Sequence, residues 1–200
     1  VVQFALKAFG GHAVAAYGVA LRIEQILLLP VLGMTGALLP IAGQNFGALK
    51  FDRVRAALRY CWTAGFVMTA VAAPLLIFGG PFAISLFSSD PDVIEAASSY
   101  LRVDAVLFPF YMMLFAINSL LQAFKQAIWT LWISIYRQGF GVAFFIWVFI
   151  SCLGYDVQGV WFGIACAVLT GWILSLTIAT MVARKEIGGL LSAAPSSRYY

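Results

Sequence analysis

QILLLPVLGMTGALLPIAGQNFGAL, residues 25–49, carries no charged side chain. A helix needs ~20 mostly apolar residues to cross the ~30 Å hydrocarbon core of a bilayer. Four more runs free of charge follow, at 60–89, 105–124, 138–155 and 157–183. The charges sit almost entirely in the connections. Of 200 residues, 63% are hydrophobic and 10% charged, against about 25% charged in a soluble domain. A chain this short cannot coat five apolar helices with a polar shell. The sequence therefore predicts an all-α, polytopic membrane protein that crosses at least five times.

Residues 1–9 read as the tail of a helix, closed by Gly10 and Gly11. Because the chain opens at Val1 in what looks like a helix end, the expectation is a partial sequence whose preceding part is not included. Spans are expected at 13–43, 60–87, 103–124, 130–153 and 158–183. Between the second and third, Asp90 suits a helix N-cap and Pro91 the first helical position, leading a short amphipathic piece over 93–102. The division is a transmembrane lobe over 1–187 and a flexible cytoplasmic tail over 188–200, rich in Ser and Pro.

The formal charge of +4 might point to nucleic acid, but the placement of the basic residues argues for topology instead. Lys50, Arg53, Arg55 and Arg59 follow span one, Lys125 follows span three, and Arg184, Lys185 and Arg198 follow span five. With an odd number of crossings these segments share one side. The other side holds Lys7 and Arg102 with Asp90, Asp92, Glu95, Asp104 and Asp156. Excess Lys and Arg mark the cytoplasm, so the C-terminus is expected there and no nucleic-acid partner is expected. Trp129, Trp132, Tyr155 and Trp161 lie near predicted helix ends, where amphipathic rings favour the membrane interface. Gly159 and Gly163 form a GxxxG, readable as a dimer face or as close packing within one bundle.

Polar groups at membrane depth are costly and so are candidates for function. These are Arg22, Glu24, Gln25, Asn118, Gln122 and Arg137. Arg22 and Glu24 are two apart and do not share a helix face. Counting ~1.5 Å per residue from opposite faces brings Glu24 and Arg137 to similar depths. They are candidates for a permanent ion pair, or Glu24 binds a proton or Na⁺ that it exchanges for cargo, or both face a polar cavity without coupling. Asn118 and Gln122, four apart, form a stripe with Tyr111 that either lines a cavity or bonds a neighbouring helix. Pro30 and Pro40 make the first span the candidate hinge, a static kink being the alternative. His12 is the one histidine, Cys61, Cys152 and Cys166 form no CxxC, and no metal-ligand or nucleophile motif occurs. Neither an enzyme, a metal nor a cofactor is expected.

Three stretches carry a family resemblance: 15–25 (AAYGVALRIEQ), Pro40 with 41–48 (IAGQNFGA), and Asp52-Arg53-Val54. Tyr100-Leu101-Arg102, Leu121-Gln122-Ala123, Arg137 and Gly159-Val160-Trp161 support it. Together they resemble the second half of multidrug and toxic compound extrusion (MATE) transporters. The resemblance implies the end of helix seven plus helices eight to twelve of a twelve-helix, two-lobe antiporter. It implies export of organic, often cationic amphipathic compounds in exchange for Na⁺ or H⁺. The partners implied are a small organic cargo, the lipid bilayer and an N-terminal lobe. The implied location is the plasma membrane, in bacteria the inner membrane. The coupling acids of NorM-like members sit on helices seven and ten. Helix seven is mostly outside this sequence, and the helix-ten acid falls near Tyr111. Asp104 lies at the outer end of its span, which leaves Glu24 as the candidate by elimination. A lipid-linked precursor flippase of the same superfamily and a non-transporting scaffold are the alternatives.

Overall fold

Long helices joined by short turns account for nearly all of residues 1–190, the part that this computed structural model describes. The sequence-derived tail 188–200 lies largely outside the described residues. A short helix, α1 (Val2–Leu6), runs through a 3₁₀ turn at Lys7–Phe9. Gly10 breaks it, with φ of 97°, a region that favours glycine. Then come α2 (Gly11–Gly47), α3 (Phe51–Ser85) and α4 (Pro91–Ala123). A rod over Ala127–Cys152 follows, built from α5 (Ala127–Ile135), α6 (Val142–Trp147) and a π-helical segment after each. The last helix is α7 (Val157–Ile187).

All five expected crossings are present as helices long and apolar enough to span a membrane. Their bounds differ from the sequence reading for one reason: charge ends a hydrophobic run without ending a helix. The 37 residues of α2 reach ~55 Å, well past the hydrocarbon. Residues 43–47, past the expected end of the first span, are helical, with the Asn45 side-chain amide donating to the Ile41 carbonyl at 2.8 Å. The helix stops at Gly47, where Leu49 takes a positive φ of 58° and the Lys50 amide bonds back to the Asn45 carbonyl. Lys125 repeats this device after α4, with φ of 60°. Arg53, Arg55 and Arg59 lie on α3 and not in a loop. The amphipathic piece at 93–102 and the third span are one helix, capped as predicted: the Asp90 carboxylate accepts from the Asp92 amide at 3.0 Å, with Pro91 next.

Asp90 also binds His12 at 2.7 Å, tying the start of α2 to the start of α4. Desolvation works to raise the Asp90 pKa, but the Asp92 and Val93 amides and the His12 ring outweigh it and hold the carboxyl below its usual range. The tie is thus in place above ordinary carboxylate pH and fades as pH falls through the lowered value.

Helix α4 is the centre of the bundle: 56% of its apolar window is buried, against 28% in α2 and α3 and 22% in the rod. Outer faces remain apolar, as with Phe66, Phe78 and Phe82 on α3 and Trp132, Phe140 and Trp147 on the rod. In water such faces would be an aggregation surface; against acyl chains they cost nothing. Trp129, Trp132 and Tyr155 are exposed, but Trp161 is fully buried and does not serve as an interfacial ring. The Gly159/Gly163 pair packs inside the bundle. A Cβ at Gly163 would lie 2.9 Å from the Ile146 backbone nitrogen, and one at Gly159 3.4 Å from the Phe149 Cβ. The prolines of α2 sit within an unbroken helix. In the turn before Pro40, Ser119 of α4 donates to the Thr35 carbonyl at 2.7 Å.

Arg55 closes the end of the bundle formed by the start of α3 and the end of α7. It is 5% exposed, donates to the Ile187 carbonyl and, through Nε at 2.9 Å, to the Gly189 carbonyl, and bonds Asp52 at 2.8 Å. These carbonyls belong to the helix end that has no partners of its own. Arg55→Ala is expected to lower unfolding stability by about 1.5–3 kcal/mol, while Arg59→Ala, exposed, stays within ~0.5 kcal/mol. Thermal unfolding of the whole protein in detergent reads this. In the same assay Gly163→Ala costs about 1–3 kcal/mol by forcing α6 and α7 apart, whereas Gly139, with nothing within 4 Å, accepts Ala.

Candidate functional site

Six elements, α1, α2, α4, the π segment Tyr136–Gly141, α6 and α7, line a cavity of about 490 Å³. Its wall includes Tyr17, Glu24 and Gln25 from α2, Tyr100, Tyr111 and Phe115 from α4, Arg137 and Gln138, and Ile164 and Val168. Glu24 is 8% exposed and accepts a hydrogen bond from the Tyr100 hydroxyl at 2.8 Å. Tyr17 lies two turns before Glu24 on the same face of α2. Its ring meets Tyr100 edge-on at 5.4 Å and stacks on Trp161 at 6.0 Å, and Tyr100 meets Trp161 at 5.0 Å. The carboxylate is thereby held by one hydroxyl and backed by a wall of three rings.

Arg137 reaches the cavity because of two local features. It sits in the π segment, where the extra residue per turn re-aims side chains. Its stem crosses α7 at Gly171, where a Cβ would lie 3.2–3.3 Å from its Cβ, Cγ and Cδ. The guanidinium stands 6.0 Å over the Tyr111 ring. Among the described residues, Arg137 and Glu24 are not within ion-pair distance, although both line the cavity. Arg22 is exposed and outside the cavity wall. Of the expected stripe, Tyr111 lines the cavity, but Asn118 and Gln122 do not. Asn118 is half-buried with its Oδ1 unpartnered, and Gln122 is exposed.

Asp104 corrects the sequence reading. Taken there as sitting at the outer end of its span, it is 1% exposed, one turn after Tyr100 and two before Tyr111. It is within electrostatic reach of Glu24, and the Tyr111 side chain approaches it as its hydrogen-bonding neighbour. The spacing Tyr100–Asp104–Tyr111 was a legible signal. Placing the membrane boundary at Arg102 hid it. No group of three His, Cys, Asp or Glu among the described residues could hold a metal. The three cysteines are free.

The family model described as MatE matches residues 1–148. A FAD transporter of Shewanella oneidensis is 38% identical over 104 residues, 52% of this chain and 23% of that protein. The multidrug export protein MepA of Staphylococcus haemolyticus is 27% identical over 126 residues, 63% of this chain and 28% of that protein. Among solved structures, a MOP-superfamily transporter from Pyrococcus furiosus superposes with a TM-score of 0.85 at 20% identity, covering 92% of this chain and 42% of that one. An outward-facing multidrug resistance MATE transporter gives 0.80. The chain thus spans less than a third of the length of those curated relatives and about two fifths of the solved chains.

Removing the Tyr100 hydroxyl takes the only side-chain hydrogen bond found on Glu24 among the described residues. Tyr100→Phe is expected to lower stability by about 1–3 kcal/mol, read as a drop in thermal unfolding midpoint of the whole protein in detergent.

Proposed function

The chain belongs to the MatE family, and from that premise we propose that it forms one lobe of a secondary transporter that exports organic, often cationic amphipathic compounds in exchange for Na⁺ or H⁺. The observation that carries the reading is Glu24, a carboxylate buried at the wall of a cavity of about 490 Å³ that aromatic rings and one guanidinium share. A buried carboxylate in a membrane bundle costs free energy unless a cation accompanies it. Loading and unloading that cation changes which packing of the lobe is favoured, and alternating access uses such a change. The Tyr100 hydrogen bond fixes the carboxylate's position in the loaded lobe. The facing lobe completes the cavity in this reading.

Helix α2 carries Glu24 and, in the same unbroken helix, Pro30 and Pro40. Each proline frees a carbonyl, so α2 is the element that a change at Glu24 bends most readily. The Lys50–Arg59 end of the bundle, with Lys125 and Arg184–Lys185, faces the cytoplasm in this reading. The cargo meets Tyr17, Tyr111 and Phe115 as flat apolar surface and Glu24 or Arg137 as a charge partner. Relatives are named for multidrug export and for FAD transport. Both names weigh toward an exporter of soluble organic cargo and against the lipid-linked flippase and the scaffold.

The test uses the full-length protein in drug-sensitive cells, with efflux of a cationic dye and release of FAD followed side by side. Efflux that tracks the Na⁺ or proton gradient supports antiport; absence of gradient-dependent efflux of both cargoes overturns it. Glu24→Gln is expected to cut gradient-driven efflux at least about tenfold, with the amount of protein in the membrane unchanged by immunoblot.

A further inference from the structure

We propose that a groove between α2 and α3 seats one anionic phospholipid, with its acyl chain in the groove and its headgroup on Arg53. The groove measures about 550 Å³ and shares no wall residue with the Glu24 cavity. Met34, Ala37 and Ala64 form its inner end, and Asn45 and Arg53 its outer end. The small side chains of Ala37, Ala57 and Ala64 leave open the space that larger residues fill between packed helices. From Met34 to Asn45 on α2, and from Ala64 back to Arg53 on α3, the groove runs ~16 Å. A bilayer of ~40–45 Å with a ~30 Å hydrocarbon core leaves ~6 Å of headgroup layer on each side. The groove is therefore long enough for a headgroup and the upper part of one acyl chain. Tyr60 stands between the two parts, 76% exposed, and a ring of that type favours the interface.

Charge at one end sets the chemistry of the occupant. Arg53 is exposed, lines the groove and has no ion pair among the described residues. Lys50, also exposed, is tied beside it, its carbonyl accepting the Arg53 amide at 3.0 Å. The acid between them in sequence, Asp52, is held by Arg55 at 2.8 Å. Two positive charges are thus left without a partner where the groove opens. A phosphodiester answers them, and a headgroup that carries its own cation answers them less well. A basic pocket between membrane helices is a recurrent seat for such headgroups. The face of α3 that lines the groove, Ala57, Tyr60 and Ala64, continues at spacings of three and four through Val67, Val71, Leu75, Phe78 and Phe82, all five exposed. The groove is the basic end of that apolar stripe, so lipid and not a second helix is the occupant that the whole face suits. Its leaflet is the cytoplasmic one in the orientation proposed above, but the site does not depend on that orientation.

The full-length protein in mild detergent is titrated with dioleoyl phosphatidylglycerol or dioleoyl phosphatidylcholine, and bound lipid is counted by native mass spectrometry. The first phosphatidylglycerol is expected to bind at least about fivefold tighter than the first phosphatidylcholine, roughly what one basic side chain is worth toward an anionic lipid. Arg53→Gln should remove that preference, while Arg59→Gln, exposed but not in the groove wall, keeps it within about twofold. Ala37→Trp, which fills the groove from an exposed position, should weaken both lipids at least about fivefold. No preference in the parent, or a preference that survives Arg53→Gln, overturns the site. An equal loss in Arg59→Gln makes the attraction diffuse surface charge and overturns it too. If Ala37→Trp leaves lipid binding unchanged, the groove is filled by protein or by nothing, and the proposal falls. Should Ala37→Trp fail to fold, Ala37→Leu is read in the same way. None of these outcomes touches the role given to Glu24, since the two sites share no residue.

Discussion

Hydrocarbon offers no hydrogen bonds, so each backbone amide in the spanning segments has to find its partner inside its own helix. That constraint makes the described chain a set of long helices, and it moves every structural difficulty to their ends. The turns after α2 and after α4 close with the same back-bonded motif, although Leu49 and Lys125 stand where glycine is usual. The end of α7 is finished by a side chain from elsewhere, the buried guanidinium of Arg55. The arginine that looks from sequence like one more topological charge is in fact a structural plug.

Within the bundle, apolar packing alone gives little preference for one arrangement, because lipid is as apolar as leucine. Close approach and polar contacts supply it. Gly163 lets α7 touch the backbone of α6, Gly171 makes room for the stem of Arg137, and Ser119 grips α2 beside its second proline. Helix α4 meets α2, α3 and α7 and carries both Tyr100 and Asp104. In the proposed exchange cycle, a change of charge at Glu24 would act on the helix on which the others pack. In that proposal, close-packed surroundings would turn a local charge change into a shift of whole helices, because such cores switch between packings and do not deform smoothly.

The number and order of crossings were readable because a run of ~20 apolar residues has few alternatives. The Asp90–Pro91 helix start was readable because capping is a local, side-chain-to-backbone matter. Helix bounds were not, since 51–59 and 93–102 are charged yet helical, and α-helices continue past the hydrocarbon into water. Glu24 and Arg137 were found by their cost at depth. Asp104 was missed because depth was judged from where charges begin, and Trp161 was misplaced at the interface because ring type was read without knowing which way the ring points.

Composition and spacing by themselves decided the solvent, the helical class and the count of spans, all properties of short stretches meeting a bilayer. Which acid stands beside which tyrosine depends on the rotation of α2 against α4, the π segment that turns Arg137 inward, and the glycines on α7. Those are set by side chains far apart in the chain fitting together. No local pattern encodes them, so only the assembled bundle brings Glu24, Tyr100 and Asp104 into one place.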